Sequence, residues 1–242
     1  MHRALRYWPF KPRSGLEGAF VSLAFMAVYV LAYPWLENFW VWALQTGVQQ
    51  LRLDVLVGQA PLELPWGLPS VKRWCLVGPA AEVGWWGWGL QAVVVVVSWL
   101  AAKRLPDPFL PVAYGLRLVL ALQGLSLVYF ALWPHHFPHR LADHTRDLFG
   151  FGVALQLMVP VVLGLTYFPL EGRLRLRVAA CVVAMGYFVL SLPVKMLAHA
   201  WLVSHLGATF LPVLYLAFGP LLDVLLFVAL FSWMATWLPQ ED

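Results

Sequence analysis

Three residues set far apart in this chain have side chains that suit joint chemistry: a cysteine, an arginine and a histidine. Cys75 sits in Lys72-Arg73-Trp74-Cys75-Leu76-Val77-Gly78. Neighbouring cations favour its thiolate, the nucleophilic form; the plainer reading is a small apolar residue at a membrane interface. Arg117 lies in Tyr114-Gly115-Leu116-Arg117-Leu118, within a strongly apolar stretch. An arginine in hydrocarbon costs at least about 2.5–3.5 kcal/mol on insertion scales, so by default it marks a function. The alternative is an ion pair that fixes helix packing, with Asp223 as its partner. His144 lies in Asp143-His144-Thr145-Arg146-Asp147, and imidazole titrates near neutrality, as proton transfer requires. The second cysteine, Cys181, stands among Ala and Val and reads as packing.

These residues must be positioned by an unusually apolar chain. Of 242 residues 62% are hydrophobic and 12% charged, and the mean hydropathy is +0.74. Globular domains average about 45–50% apolar and about 25% charged. A soluble domain, a disordered region, a nucleic-acid binder and a disulfide-stapled module are thereby excluded. A helix needs about 20 apolar residues to cross the bilayer core, and six such spans stand out: Gly18–Leu36, Ala81–Ala102, Phe109–Trp133, Leu148–Phe168, Val178–Ala198 and Ala208–Trp237. The last is long enough to tilt or project. The fold class expected is an all-α polytopic membrane protein, a single domain over residues 1–242.

Basic residues give an orientation. Arg3, Arg6, Lys11, Arg13, Lys103, Arg104, Arg173, Arg175 and Arg177 fall on one side, which the positive-inside rule makes cytoplasmic, with both termini there. The cytoplasmic (inner) membrane is the expected location. The opposite, outer pole collects Arg52, Lys72, Arg73, Arg140, Arg146, Lys195, Glu82, Asp143, Asp147 and every histidine except His2. The largest non-spanning piece, residues 37–80, lies at this pole. Its Val41–Asp54 part mixes apolar residues with Gln45, Gln49, Gln50 and Arg52, as an interfacial helix would. Val55–Leu64, apolar at both ends around a Gly/Pro-containing centre, reads as strand, turn, strand.

The outer histidines also admit a metal reading. His135, His139, Asp143 and Asp147 recur at i, i+4, which on a helix is one face, and His and carboxylate suit zinc-like ions. Their spacing matches no specific zinc signature, and Pro138 interrupts the first part of any helix. No metal ligand and no cofactor is therefore assigned. His199 and His205 lie too close in sequence, at one membrane edge, to hold one haem between facing helices. Trp85, Trp86 and Trp88 read as an interfacial aromatic belt.

Taken in order, Cys75, Arg117 and His144 resemble the exosortase/archaeosortase family of membrane cysteine transpeptidases. Cys75-Leu76-Val77-Gly78 stands for the family's cysteine motif, Tyr114-Gly115-Leu116-Arg117 for its Asn-x-x-Arg, and Asp143-His144-Thr145-Arg146-Asp147-Leu148-Phe149-Gly150 for its histidine motif. The likeness spans about Val41 to Val159. It departs from the family in having no Ser after Cys75, Gly78 one position late, Tyr114 where Asn is usual, and a late Gly150. The resemblance implies a cysteine protease or transpeptidase at the outer face of the membrane. Its substrates would be secreted proteins with a C-terminal sorting signal: short motif, transmembrane helix, basic tail. In that chemistry Cys75 forms a thioester acyl-enzyme, His144 moves the proton, and Arg117 stabilises the oxyanion. Arg73, Glu82, Arg140, Arg146, Lys195 and His199 are the substrate-binding candidates.

Depth is the difficulty, since Arg117 and Cys75 are set about two helical turns apart. Either residues 75–89 dip inward or Arg117 reaches outward; otherwise Arg140 or Arg146 is the better oxyanion group. Two rival classes stay open. One is a metal- or haem-binding redox protein using the outer histidines, and the other a non-catalytic membrane subunit. Lipid is a partner under every reading, and nucleic acid under none.

Overall fold

A computed structural model of the chain describes residues 12–62, 71–133, 136, 137, 139–166 and 174–237. Its elements are α1 (Pro12–Gln50), β1 (Leu56–Leu62), β2 (Val71–Val77), α2 (Trp85–Ala102), α3 (Leu110–Leu132), α4 (Leu141–Thr166), α5 (Leu174–Leu206), α6 (Leu211–Leu216) and α7 (Pro220–Ala235), with 3-10 turns at Asp107–Phe109 and Ala208–Phe210. Six helical stretches are long and apolar enough to span a bilayer: Gly15–Gln50, Trp85–Ala102, Asp107–Leu132, Leu141–Thr166, Leu174–Leu206 and Ala208–Ala235. The chain is a multi-pass helical membrane protein, with one small sheet among the described residues. Val93, Val94, Val96 and Val97 of α2 each leave more than half their surface uncovered. Hydrocarbon, not water, is the solvent such a face requires.

The boundaries depart from the sequence reading in four places. Val41–Gln50 is not a separate interfacial helix, because α1 runs through it without a break. No residue there interrupts helical hydrogen bonding, and Pro34 is accommodated inside the helix. The helix instead ends at Arg52, which adopts a left-handed φ of 51°. Leu53 N–H donates to Val48 O (3.0 Å) and Arg52 N–H to Gln49 O (3.2 Å), a Schellman closure with arginine where glycine is usual. Second, Val55–Leu64 does not fold back on itself. Leu56–Leu62 is a single strand, antiparallel to Val71–Val77, with Gly58 opposite Cys75 and Pro61 opposite Lys72. Edge strands tolerate proline and glycine in this way. The cysteine motif is thus itself a strand.

Third, α4 begins at Leu141 rather than Leu148, so His144 lies in its first turns. The cause is an N-terminal cap. Arg140 N–H donates to Asp143 Oδ2 (3.3 Å), the reach-back of an acidic third residue to the cap position. Fourth, Ala208–Trp237 is not one helix but a 3-10 turn, α6 and α7, interrupted at 217–219 before Pro220.

The sequence reads as a single domain, within which contacts group the residues into two compact units. One comprises the chain up to Trp40, Phe151–Pro193 and the chain from Val224. It is tied by side chains that satisfy buried polar groups: Ser22 Oγ donates to Pro160 O (2.7 Å), Tyr29 OH to Gln156 Oε1 (2.9 Å), Gln156 Nε2 to Phe188 O (3.2 Å) and Trp40 Nε1 to Val189 O (3.0 Å). The other comprises Val41–Gly150 and Val194–Asp223, and every residue of interest for chemistry lies within it.

In this second unit the connector from β2 to α2 is held by the end of α5. Ala81 N–H donates to Val203 O (3.1 Å), and Gly207, at φ 93°, turns the chain out of α5 directly over Val83. A Cβ at Gly207 would lie 2.1 Å from Val83 Cγ2 and 3.0 Å from Ala81 O. Gly207→Ala is therefore expected to cost about 1–3 kcal/mol through the strained backbone alone, read as a lowered Tm of the purified protein. A wild-type melting curve for this variant would show that the connector gives way freely.

Candidate functional site

The site is built where β2 meets the first turns of α4. A two-stranded sheet leaves one edge of each strand unpaired. At β2 that edge is met by a side chain: Leu76 N–H donates to Thr145 Oγ1 at 2.9 Å. The hydroxyl in turn donates to Leu141 O (2.9 Å), so Thr145 both receives the strand and back-bonds its own helix. Thr145 is fully buried, and its replacement by Val would leave a strand N–H without an acceptor. Thr145→Val is expected to destabilise by about 1–3 kcal/mol and to raise amide hydrogen exchange at Leu76.

Strand and helix periodicity then decide which groups meet. Arg73 and Cys75 share one face of β2, two residues apart. Asp143, Arg146 and Gly150 share one face of α4 at i, i+3, i+7. Gly150 gives the Arg73 guanidinium its place, since a Cβ there would lie 2.9 Å from Cζ. Arg146 pairs with Asp143 (3.3 Å) and Asp147 (3.5 Å). The Cys75 thiol feels this cluster. Burial pushes it above its ordinary range, Arg146 pulls it back, and Asp143 pushes it further up. The sequence expectation of a cation-stabilised thiolate is thus corrected: Cys75 is 5% exposed, and desolvation outweighs the neighbouring charge. Opposite it, Gly58 presents no side chain; a Cβ there would stand 3.5 Å from Sγ.

His144 turns toward α5. Its Nε2 lies 2.9 Å from His199 Nδ1, with the two ring planes inclined at 23°. His144 is 3% exposed, and its Nδ1 has no hydrogen-bond partner among the described residues. Beside it is a pocket of about 200 Å³, lined by Phe137, His139, His144, Leu211, Tyr215 and Leu216. The Tyr215 ring is near both histidines of the lining, 6.1 Å from His139 and 6.0 Å from His144.

Arg117 is not part of this site. Its Nη2 donates to Ala102 O (3.0 Å) at the far end of α2, and its guanidinium lies over the Tyr114 ring. The last carbonyls of a helix have no partner within it, and Arg117 reaches back across the short 103–109 connector to one of them. Cys75 precedes the other end of α2, whose 18 residues span about 27 Å. Neither an inward dip of residues 75–89 nor an outward reach of Arg117 closes that separation. Nor does Arg117 pair with Asp223: the partner of that carboxylate is Lys195, one turn before His199 on α5.

The remaining expected residues are dispersed. Glu82 and Arg140 are exposed, and His205 Nδ1 is bonded to Trp201 O (2.9 Å). His135 and the side chain of Lys72 lie outside the described residues. Among the described residues no three His, Cys, Asp or Glu side chains converge as metal ligands would. Sequence reasoning quoted Thr145 and Gly150 only as members of the histidine motif and Gly58 only within a turn, giving none of them a role, and it missed Tyr215. A threonine beside a candidate base and glycines beside candidate site residues were the available signals. Comparison with family models, with curated proteins and with solved structures gives no match for this chain.

Proposed function

We propose that the protein is a membrane-embedded cysteine peptidase or transpeptidase of the exosortase type, acting on the C-terminal sorting signals of secreted proteins. The observation that carries this reading is the seating of β2 on α4 through Leu76 N–H and Thr145 Oγ1 at 2.9 Å. It draws the cysteine strand to the helix turns that hold His144 and Arg146. The basic residues at the other ends of the spans support a site at the outer face of the cytoplasmic membrane, with both termini inside.

In this reaction Cys75 Sγ attacks the substrate carbonyl, a C–S bond forms, and the peptide C–N bond breaks. The thiol proton passes to His144 Nδ1, a ring nitrogen with no hydrogen-bond partner among the described residues, and from there to the departing amine. Water or an amine then releases the acyl group as acid or amide and restores the thiol. The oxyanion role passes from Arg117 to Arg146, with Arg73 as the substrate-holding cation. Substrate entry must loosen the packing over Cys75, which is 5% exposed.

The test is a trapped intermediate. Membranes from cells making the protein are expected to contain a hydroxylamine-labile acyl adduct on Cys75, visible by mass spectrometry and absent from Cys75→Ala. The absence of any adduct, together with unchanged processing of secreted proteins in Cys75→Ala cells, would overturn the reading.

A further inference from the structure

The second unit buries four ionisable side chains in succession along α5 and its neighbours: Asp223, Lys195, His199 and His144. Asp223 is 0% exposed, His144 3% and His199 4%, and the Lys195 side chain is 13% exposed. All lie within stretches able to span a bilayer, where ionisable groups are retained at a cost and mark function. Lys195 and His199 share a face of α5 at i, i+4. The line ends in orphaned atoms, with neither Asp223 Oδ2 nor His144 Nδ1 partnered among the described residues. Buried polar atoms without partners are rare in native proteins and call for an explanation such as water, an ion or a catalytic role.

We propose that His144 and His199 form a single intramembrane proton site, two imidazoles that take up one proton between them, with the Lys195–Asp223 pair as its charge-balanced support. The geometry dictates the stoichiometry. At 2.9 Å the facing nitrogens can hold one hydrogen between them, donated by one ring to the lone pair of the other. Adding one proton to the pair turns that contact into a charge-assisted N–H⁺···N bond, which is stronger. A second proton would set two N–H groups against each other at hydrogen-bond distance, so the rings titrate as one unit.

The charges facing the pair fit this role. Asp147 and His139 stand near His144, and Lys195 stands near His199. Lys195 repels a proton on His199, and Asp223, its ion-pair partner, offsets part of that repulsion. The added proton binds at the unpartnered His144 Nδ1, on a residue that lines the pocket with His139 and Tyr215; the bridging hydrogen can then move from Nε2 to His199 Nδ1. This site stands whether or not Cys75 is a nucleophile. If Cys75 is one, the pair is where its proton rests.

The experiment is nitrogen NMR on the full-length protein in nanodiscs, with ¹⁵N-labelled histidine rings assigned through His144→Gln and His199→Gln. The expected result is a through-hydrogen-bond nitrogen–nitrogen coupling between the two rings. One titration step should move both rings together, with an uptake of one proton. In His199→Gln the coupling is lost and His144 titrates as a lone ring. Two separate steps with one proton each, or no coupling in the wild type, would overturn the proposal, and the wild-type spectra decide it even if the variants fail to fold. Cys75 chemistry is read separately by alkylation, so an inert Cys75 with coupled histidines would sink only the peptidase reading.

Discussion

Lys195→Met is expected to unfold more readily than the wild type by about 3–5 kcal/mol, because it strands a buried carboxylate without its counter-charge. The side chain of Asp223 is 1% exposed, and Lys195 is the ion-pair partner the structure gives it. Its place in the first turn of α7 offers some compensation, since a helix N-terminus favours a negative charge. That effect is commonly only about 0.3–1 kcal/mol at exposed positions, well short of the loss. Neutralising both ends removes the imbalance, so Lys195→Met combined with Asp223→Leu should lose markedly less than either single change. Thermal unfolding of the three variants in one detergent measures this directly. If the double variant is as unstable as the sum of the two singles, the pair is not an energetic unit.

The second large effect concerns turnover. His144→Gln is expected to slow processing by about 10²- to 10⁴-fold, the usual worth of a positioned proton carrier, and Cys75→Ala to abolish it. Arg117→Gln, by contrast, should leave the chemistry nearly intact, because Arg117 serves the far end of α2. The pH dependence follows from the thiol. Burial raises Cys75 above its ordinary range, so the thiol form prevails at neutral pH and the thiolate appears only as pH climbs. Activity limited by thiolate should therefore rise with pH beyond the ordinary thiol range of about 8.5. Arg146 lowers the thiol and Asp143 raises it. Arg146→Gln should accordingly move the profile to higher pH, and Asp143→Asn to lower pH. Profiles that coincide for all three proteins would show that the cluster on α4 does not govern the thiol.

How far the sequence foretold this arrangement depends on which physical signal each part left in it. Membrane spans are written in composition, and all six were legible with ragged ends. The ends failed where a local device overrode hydropathy: the Arg140–Asp143 cap draws α4 back over His144, and Pro220 restarts the last segment as α7. The hairpin partner was hidden because pairing is non-local. Nothing near Val55–Leu64 announces that its mate is the cysteine motif, and Gly58 and Pro61 suggested a turn where they occupy an edge strand. Arg117 misled for a related reason. An arginine in an apolar run advertises a burial cost without saying which end of the helix repays it. His199 reads from the sequence as lying at the same pole as His144, but its bond to His144, 55 positions away, is a tertiary fact.

A nucleophilic Cys75 at the outer face, served by His144, would govern the rate at which a membrane-impermeant maleimide labels Cys75 in intact spheroplasts across pH. The wild type and His144→Gln would be compared, with Cys181→Ala as the common background. Labelling is expected without permeabilisation, rising above the ordinary thiol range, and slower in His144→Gln at neutral pH. Labelling that requires broken membranes, or rates indifferent to His144, would contradict it.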